Sequence, residues 1–111
     1  MQTVFSITGL PQLDVPDERF KVHFIHAGNI TVAFNELKEG AIVPLHSHEH
    51  ETIDIVLEGE LAMTIDAETV IMEGGEVCKI SPNRLHGAMA LTDCKVINIF
   101  YPRRDDFQAK Q

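Results

Sequence analysis

Between Phe20 and Tyr101 the chain is interrupted by turn-forming residues so regularly that little except short strands fits between them. The breaks are Ala27-Gly28-Asn29, Glu39-Gly40, Glu58-Gly59, Asp66-Ala67, Gly74-Gly75, Ser81-Pro82-Asn83 and Thr92-Asp93. The intervals predict strands over 2–7, 20–26, 29–37, 41–50, 52–58, 60–65, 68–72, 76–80, 86–91 and 95–101. Helical periodicity is almost absent. Strands at this spacing indicate an all-β sandwich or barrel. Pro11 and Pro16 mark the stretch from Pro11 to Glu18 as a loop.

Alternation along the strands assigns their faces, because successive side chains point to opposite sides. Leu61, Met63 and Ile65 share one face, with Ala62 and Thr64 on the other. Ile53, Ile55 and Leu57 lie opposite Thr52, Asp54 and Val56, and Asn98 shares a side with Val96 and Phe100. Counting back by twos from Thr52 reaches His50, His48 and His46 unless a bulge intervenes.

At 111 residues the chain fits one domain spanning 1–111, large enough to bury roughly 65% of its unfolded surface without staples. The net charge of -8 leaves no basic stripe for phosphates, so no nucleic-acid partner is expected. No apolar run approaches the ~20 residues of a membrane helix, and Met1-Gln2-Thr3-Val4 lacks the pattern of a signal peptide. A cytoplasmic protein with no membrane partner is the expectation. Cys78 and Cys94 sit in apolar strand contexts and read as buried free thiols.

The chemistry concentrates in His46-Ser47-His48-Glu49-His50 and in His86. Neutral imidazole is the commonest protein ligand for transition metals, and two histidines at i and i+2 of a strand aim at one point. His46 and His48, joined by His86 from another strand, are therefore candidate ligands for one divalent metal, whether Zn, Ni, Fe or Mn. Three histidines leave coordination positions open for substrate or water. Asp54, ~6.6 Å along the strand from Thr52 and facing the same way, is a carboxylate among apolar residues that needs a partner or a role. It is a candidate acid/base group, or alternatively an outward charge. Arg104 and Arg103 could clamp a carboxylate, or pair with Asp105 and Asp106 in a solvated tail. Tyr101, Phe100, Met63 and Met89 are candidates to shape the pocket. His23 and His26 are at odd spacing and read as structural.

These residues resemble the two motifs of the cupins. Gly40, five residues, His46-Ser47-His48, three residues, Thr52, six residues and Gly59 matches the first motif over 40–59. Gly75, five residues, Ser81-Pro82-Asn83, two residues, His86, three residues and Ala90 matches the spacing of the second over 75–90, with Ser81, Asn83 and Ala90 departing from its usual residues. The resemblance implies a cupin-type double-stranded β-helix, a jelly-roll barrel. Thr52 stands where cupins usually carry a glutamate ligand, and as a weak hydroxyl donor it is expected to reach the metal through a water or merely to pack. Asn83 tolerates the left-handed conformation that glycine supplies elsewhere.

The chain is also similar to the small KdgF-type cupins of pectin and alginate breakdown. The similarity runs through His-Ser-His-x-His, Val56-Leu57-Glu58-Gly59 and Phe100-Tyr101-Pro102-Arg103-Arg104-Asp105-Asp106-Phe107. It implies one divalent metal, a homodimer, and the linearisation of 4,5-unsaturated uronates, which are small sugar acids. Carried over by position, the family's working Phe and Arg are Phe100 and Arg104, while its Asp falls on Asn98. An amide cannot take a proton as a carboxylate does. An isomerase-like, metal-dependent enzyme is the leading expectation. The alternatives are an Fe-dependent dioxygenase and a non-catalytic module that binds a metal or sugar acid. Between enzyme and binding module the deciding feature is Asp54: a pocket position favours catalysis, a solvent position favours binding.

Overall fold

Along Glu51–Glu58, burial alternates residue by residue: Thr52, Asp54 and Val56 face inward, and Ile53 and Leu57 are exposed. This is the division that the alternation predicts, with Asp54 on the inner side. A computed structural model describes residues 2–111 as nine strands: β1 Phe20–His26, β2 Thr31–Leu37, β3 Ile42–His46, β4 Glu51–Glu58, β5 Glu60–Ile65, β6 Glu68–Glu73, β7 Val77–Ile80, β8 His86–Ala90 and β9 Cys94–Tyr101. They form a five-stranded sheet ordered β1-β2-β9-β4-β7 and a four-stranded sheet ordered β3-β8-β5-β6. Every named pairing is antiparallel. The architecture is the all-β jelly-roll barrel expected from the strand spacing and the cupin resemblance. Among the described residues no helix is long and apolar enough to cross a membrane.

The core lies between the sheets. Leu37, Val56, Ile80 and Val96 from the first sheet meet Leu61, Met63, Met72 and Ala90 from the second. A second cluster, Val22, Phe24, Ala33 and Phe100, is covered by Leu13, Val15 and Phe107. Each large aliphatic side chain buried here contributes about 1.5–3 kcal/mol.

Two connections fix how the sheets meet. Gly59 joins β4 to β5 at φ +93, and a Cβ there would stand 2.3 Å from the Asp93 carbonyl oxygen, so only glycine fits. Ser81-Pro82-Asn83-Arg84 forms a turn with Asn83 at φ 66, closed by the Arg84 N–H on the Ser81 carbonyl at 3.4 Å. Proline followed by a left-handed Asn is the chemistry of a type II turn. The Asn83 N–H also donates to the His48 carbonyl at 2.8 Å, tying the loop before β8 to the histidine run.

Three expectations need correction. No strand forms within this chain over 2–7. Residues 2–6 are irregular and exposed, and a 3-10 turn occupies Ile7–Gly9. Val4 and Phe5 carry β-favouring side chains, but propensity without a pairing partner makes no strand. The predicted strand 41–50 ends at His46, because the register shifts between Val43 and His46 and residues 47–50 leave the sheet. The period-two count from Thr52 back to His46 therefore does not hold. The segment after Pro11 is a loop as expected, apart from single bridges of Gln12 to His23 and Leu13 to Ala109.

Candidate metal centre

The irregularity that breaks the strand count brings His46 into place. Beyond the register shift, His46 pairs directly with His86 across β3 and β8, and their ring centroids lie 4.4 Å apart. Gly87 makes this possible. A Cβ at that position would stand 2.8 Å from the Val43 carbonyl oxygen and 3.1 Å from the Leu45 nitrogen, so the bulged backbone of β3 crosses where a side chain would be. His48, on the loop beyond β3, closes the cluster with centroids 5.4 Å from His46 and 4.9 Å from His86. The three histidines offer ligand nitrogens that all lie within 4.8 Å of one another.

The backbone orients each ring. His46 Nδ1 lies 2.8 Å from the Pro44 carbonyl, His48 Nδ1 3.1 Å from the His50 carbonyl, and His86 Nδ1 2.8 Å from the Arg84 carbonyl. A carbonyl only accepts, so every Nδ1 carries a proton, and the neutral ring then presents its lone pair at Nε2. A donated Nδ1–H is the outer partner that metal-bound histidine ordinarily has. Electrostatics agree. Burial pushes His48 down to about 4, helped by the positive charge of Arg104 and by the neighbouring imidazoles. Burial also lowers His86, against the hydrogen bond to Arg84. Neutral imidazoles are what metal ligation requires. Thr52, 2% exposed, has a buried Oγ1 with no hydrogen-bond partner among the described residues. A buried hydroxyl without a partner is costly, and its place beside the histidines fits a group held there. The residues present fit one divalent metal. His50 is buried, its Nδ1 has no hydrogen-bond partner among the described residues, and it stands outside the converging set.

A cavity of about 130 Å³ opens on this cluster, lined by His46, His48, His86, Thr52, Asp54, Asn98, Phe100, Met63, Asn35 and Arg104 among others. Asp54 is 6% exposed and directly opposite Asn98 on β9. Its Oδ1 accepts from Asn98 Nδ2 at 2.6 Å. Burial pushes the carboxyl up to about 6, although the Asn98 hydrogen bond and His46 pull the other way. Its position is the pocket one, not the outward one. Arg104 lines the same cavity, with its guanidinium 4.7 Å from the Phe100 ring and 4.6 Å from the Phe107 ring. Asp106 takes Nε at 2.9 Å and Nη2 at 2.8 Å, and the hydrogen bonds from Arg104 hold its carboxyl at about 2. The Arg104 backbone N–H donates to Thr31 Oγ1 at 2.9 Å. Arg104 is thus both paired within its own tail and fixed at the pocket wall. Arg103 pairs with Asp105 away from the cavity.

Met89 and Tyr101, expected at the pocket, are 41% and 58% exposed and line none of it. Each is one residue away from an inward position, occupied by Ala88 or Ala90 and by Phe100. A larger hollow of about 500 Å³ lies at the opposite ends of the same strands, where acidic and basic side chains alternate without convergent ligands. Both cysteines are free. Cys94 is buried against the Glu60 and Thr92 carbonyls, each 3.2 Å away. Half-buried Cys78 is pushed up to about 11 by burial and by the nearby Asp54. His23 is buried on β1, and His26 Nδ1 meets Thr31 Oγ1 at 2.7 Å.

The sequence reading missed Asn35 and Gly87. A glycine between His86 and Ala88 in a strand pattern was the available signal for close backbone approach.

Residues 33–100 match the family model described as Cupin domain. The fold is similar to that of KdgF from Halomonas sp., with a TM-score of 0.85 and 27% identity over 96% of this chain and 98% of that one. An RmlC-like cupin from Desulfovibrio desulfuricans matches at 0.72 and 28% identity, over 93% of this chain and 99% of that one. An RmlC-like cupin from Shewanella frigidimarina matches at 0.83 and 23% identity, over 95% and 96%.

Proposed function

The chain belongs to the cupin family, and from that premise we propose that it is a metal-dependent enzyme that opens and tautomerises a small unsaturated sugar acid. One observation carries the reading. Three histidines with their Nδ1 protons tied to carbonyls share a cavity with a buried carboxylate, Asp54, and a fixed guanidinium, Arg104. His46, His48 and His86 would hold the metal, which when bound supplies Lewis-acid polarisation of a substrate oxygen. Thr52 would hold a polar group at the edge of that site. The similarity to KdgF supports the substrate class.

The residues divide the remaining work. Arg104 carries the positive charge that a substrate carboxylate needs. The Phe100 and Phe107 rings, themselves packed edge to face, both brace its guanidinium, so little side-chain entropy is lost on binding. Asp54 is the acid/base group. With its carboxyl pushed up to about 6, it is mostly ionised near pH 7 and can still accept and return a proton. In ring opening it takes the proton of the anomeric hydroxyl, the bond from the anomeric carbon to the ring oxygen breaks, and that oxygen takes a proton. Enol-to-keto transfer then completes an isomerisation that needs no co-reactant.

A second copy of the chain is the proposed partner. The outer face of the five-stranded sheet carries Phe34, Ile97, Ile55 and Val77 in one continuous cross-strand row. Beside it lies Ile7 of the N-terminal segment, 50% exposed, and the same segment carries Val4, 80% exposed. An apolar face flanked by an apolar arm is self-complementary under two-fold symmetry. Sedimentation should show a dimer that Ile97→Glu converts to monomer. A monomeric wild type contradicts this.

The test of function is turnover of 4,5-unsaturated uronates before and after chelation. Loss on chelation and recovery with added metal are expected. Oxygen uptake with bound iron, or no turnover of any sugar acid, would refute the proposal.

A further inference from the structure

Three polar side chains cross the inner face of the five-stranded sheet on neighbouring strands. Asp54 on β4 stands directly opposite Asn98 on β9, and Asn35 on β2 reaches Asn98 diagonally, its own opposite being Val96. Asn35 Nδ2 donates to Asn98 Oδ1 at 2.7 Å and to the Val96 carbonyl at 3.0 Å. Asn98 Nδ2 in turn donates to Asp54 Oδ1 at 2.6 Å.

An amide's shape does not distinguish its two ends, but its partners do. A backbone carbonyl only accepts, so the Asn35 group that meets Val96 is the NH2. That same NH2 meets Asn98, which must present its oxygen. The NH2 of Asn98 is left facing residue 54, which must be an acceptor. The chain of bonds therefore has one direction, set by the Val96 carbonyl and ending on a carboxylate. Asp54 Oδ2 has no hydrogen-bond partner among the described residues.

We propose that Asn35 is a positioning residue. Acting through Asn98, it holds Asp54 by Oδ1 and leaves Oδ2 as the atom that exchanges a proton with substrate. Asn98 is then the donor that orients the acid, not a group that binds substrate. The family pattern's acid at position 98 has its counterpart one strand away. This inference rests on the reading of Asp54 as the acid/base group of the site.

The chain has four asparagines, so selective labelling of asparagine side-chain nitrogen resolves each amide by nuclear magnetic resonance. In the wild type the Asn98 NH2 should exchange slowly with solvent. Asn35→Leu and Asn35→Ala should each speed that exchange. Each should also lower kcat on the uronate at least about tenfold, the scale of lost outer partners, with KM and metal content held. Two variants are used so that a folding failure in one leaves the other to decide. An Asn98 amide that exchanges as before in a folded variant, or an unchanged kcat, overturns the proposal. If the wild type turns over no uronate, the functional reading fails, and the exchange measurement alone decides whether Asn35 orients Asn98.

Discussion

Replacing Asp54 by Asn should make the metal-free protein more stable while removing its acid/base group. Burial holds the Asp54 carboxyl at about 6, against 3.8 for a free carboxyl. The folded state thus binds this proton more tightly than the unfolded state. As pH rises from about 4 to about 6, the unfolded chain releases the proton first and stability falls. Above that window the loss is constant. About two pH units at 1.36 kcal/mol each give roughly 3 kcal/mol. The substituted amide would keep an acceptor facing Asn98 and carry no charge. The assay is urea unfolding of chelator-treated wild type and Asp54→Asn at several pH values from 4 to 8. Comparing the pair at each pH cancels the other carboxylates. The variant should match the wild type near pH 4 and exceed it by about 3 kcal/mol at pH 7. Equal stability at pH 7, or a difference that does not grow between pH 4 and 6, would refute the account of Asp54.

Gly87→Ala should weaken metal binding by ~10-fold or more, as disturbed outer supports of metal sites do, because its Cβ would displace the backbone at Val43 and Leu45 that carries His46. Competition with a chromogenic chelator measures this, and an unchanged affinity would contradict the role given to the bulge. Ala67→Gly should raise stability by about 1 kcal/mol. Asp66 and Ala67 stand at φ 47 and 71 in the two-residue turn between β5 and β6, which favours glycine at its second position. Urea unfolding checks it, and a neutral or destabilising result would count against strain at that turn.

Period-two patterning made the inner faces legible. Thr52, Asp54, Val56, Leu61, Met63, Val96 and Phe100 all point inward as their alternation predicts. The bulge at Val43–His46 was not legible, since hydrophobic alternation does not record where a partner strand loses step. Metal ligation by His46 and His48 was inferred from a shared strand face, yet His48 reaches the cluster from a loop. The convergence therefore owes more to Gly87 and to the turn at Asn83 than to strand periodicity. Asn35 escaped notice because a lone Asn in a strand carries no local signal, and its role depends on a residue 63 positions away. Residues 2–6 form no strand within this chain although Val4 and Phe5 favour strands in general, because no strand among the described residues pairs with them.

The most direct test of the central claim is the metal content of freshly purified protein. Wild type should carry about one divalent ion per chain, and replacing His46, His48 or His86 singly by Ala should abolish it while His50→Ala retains it. A wild type that binds no metal from buffers supplied with Zn, Ni, Fe or Mn would contradict the account, as would a His86→Ala variant that keeps its full complement.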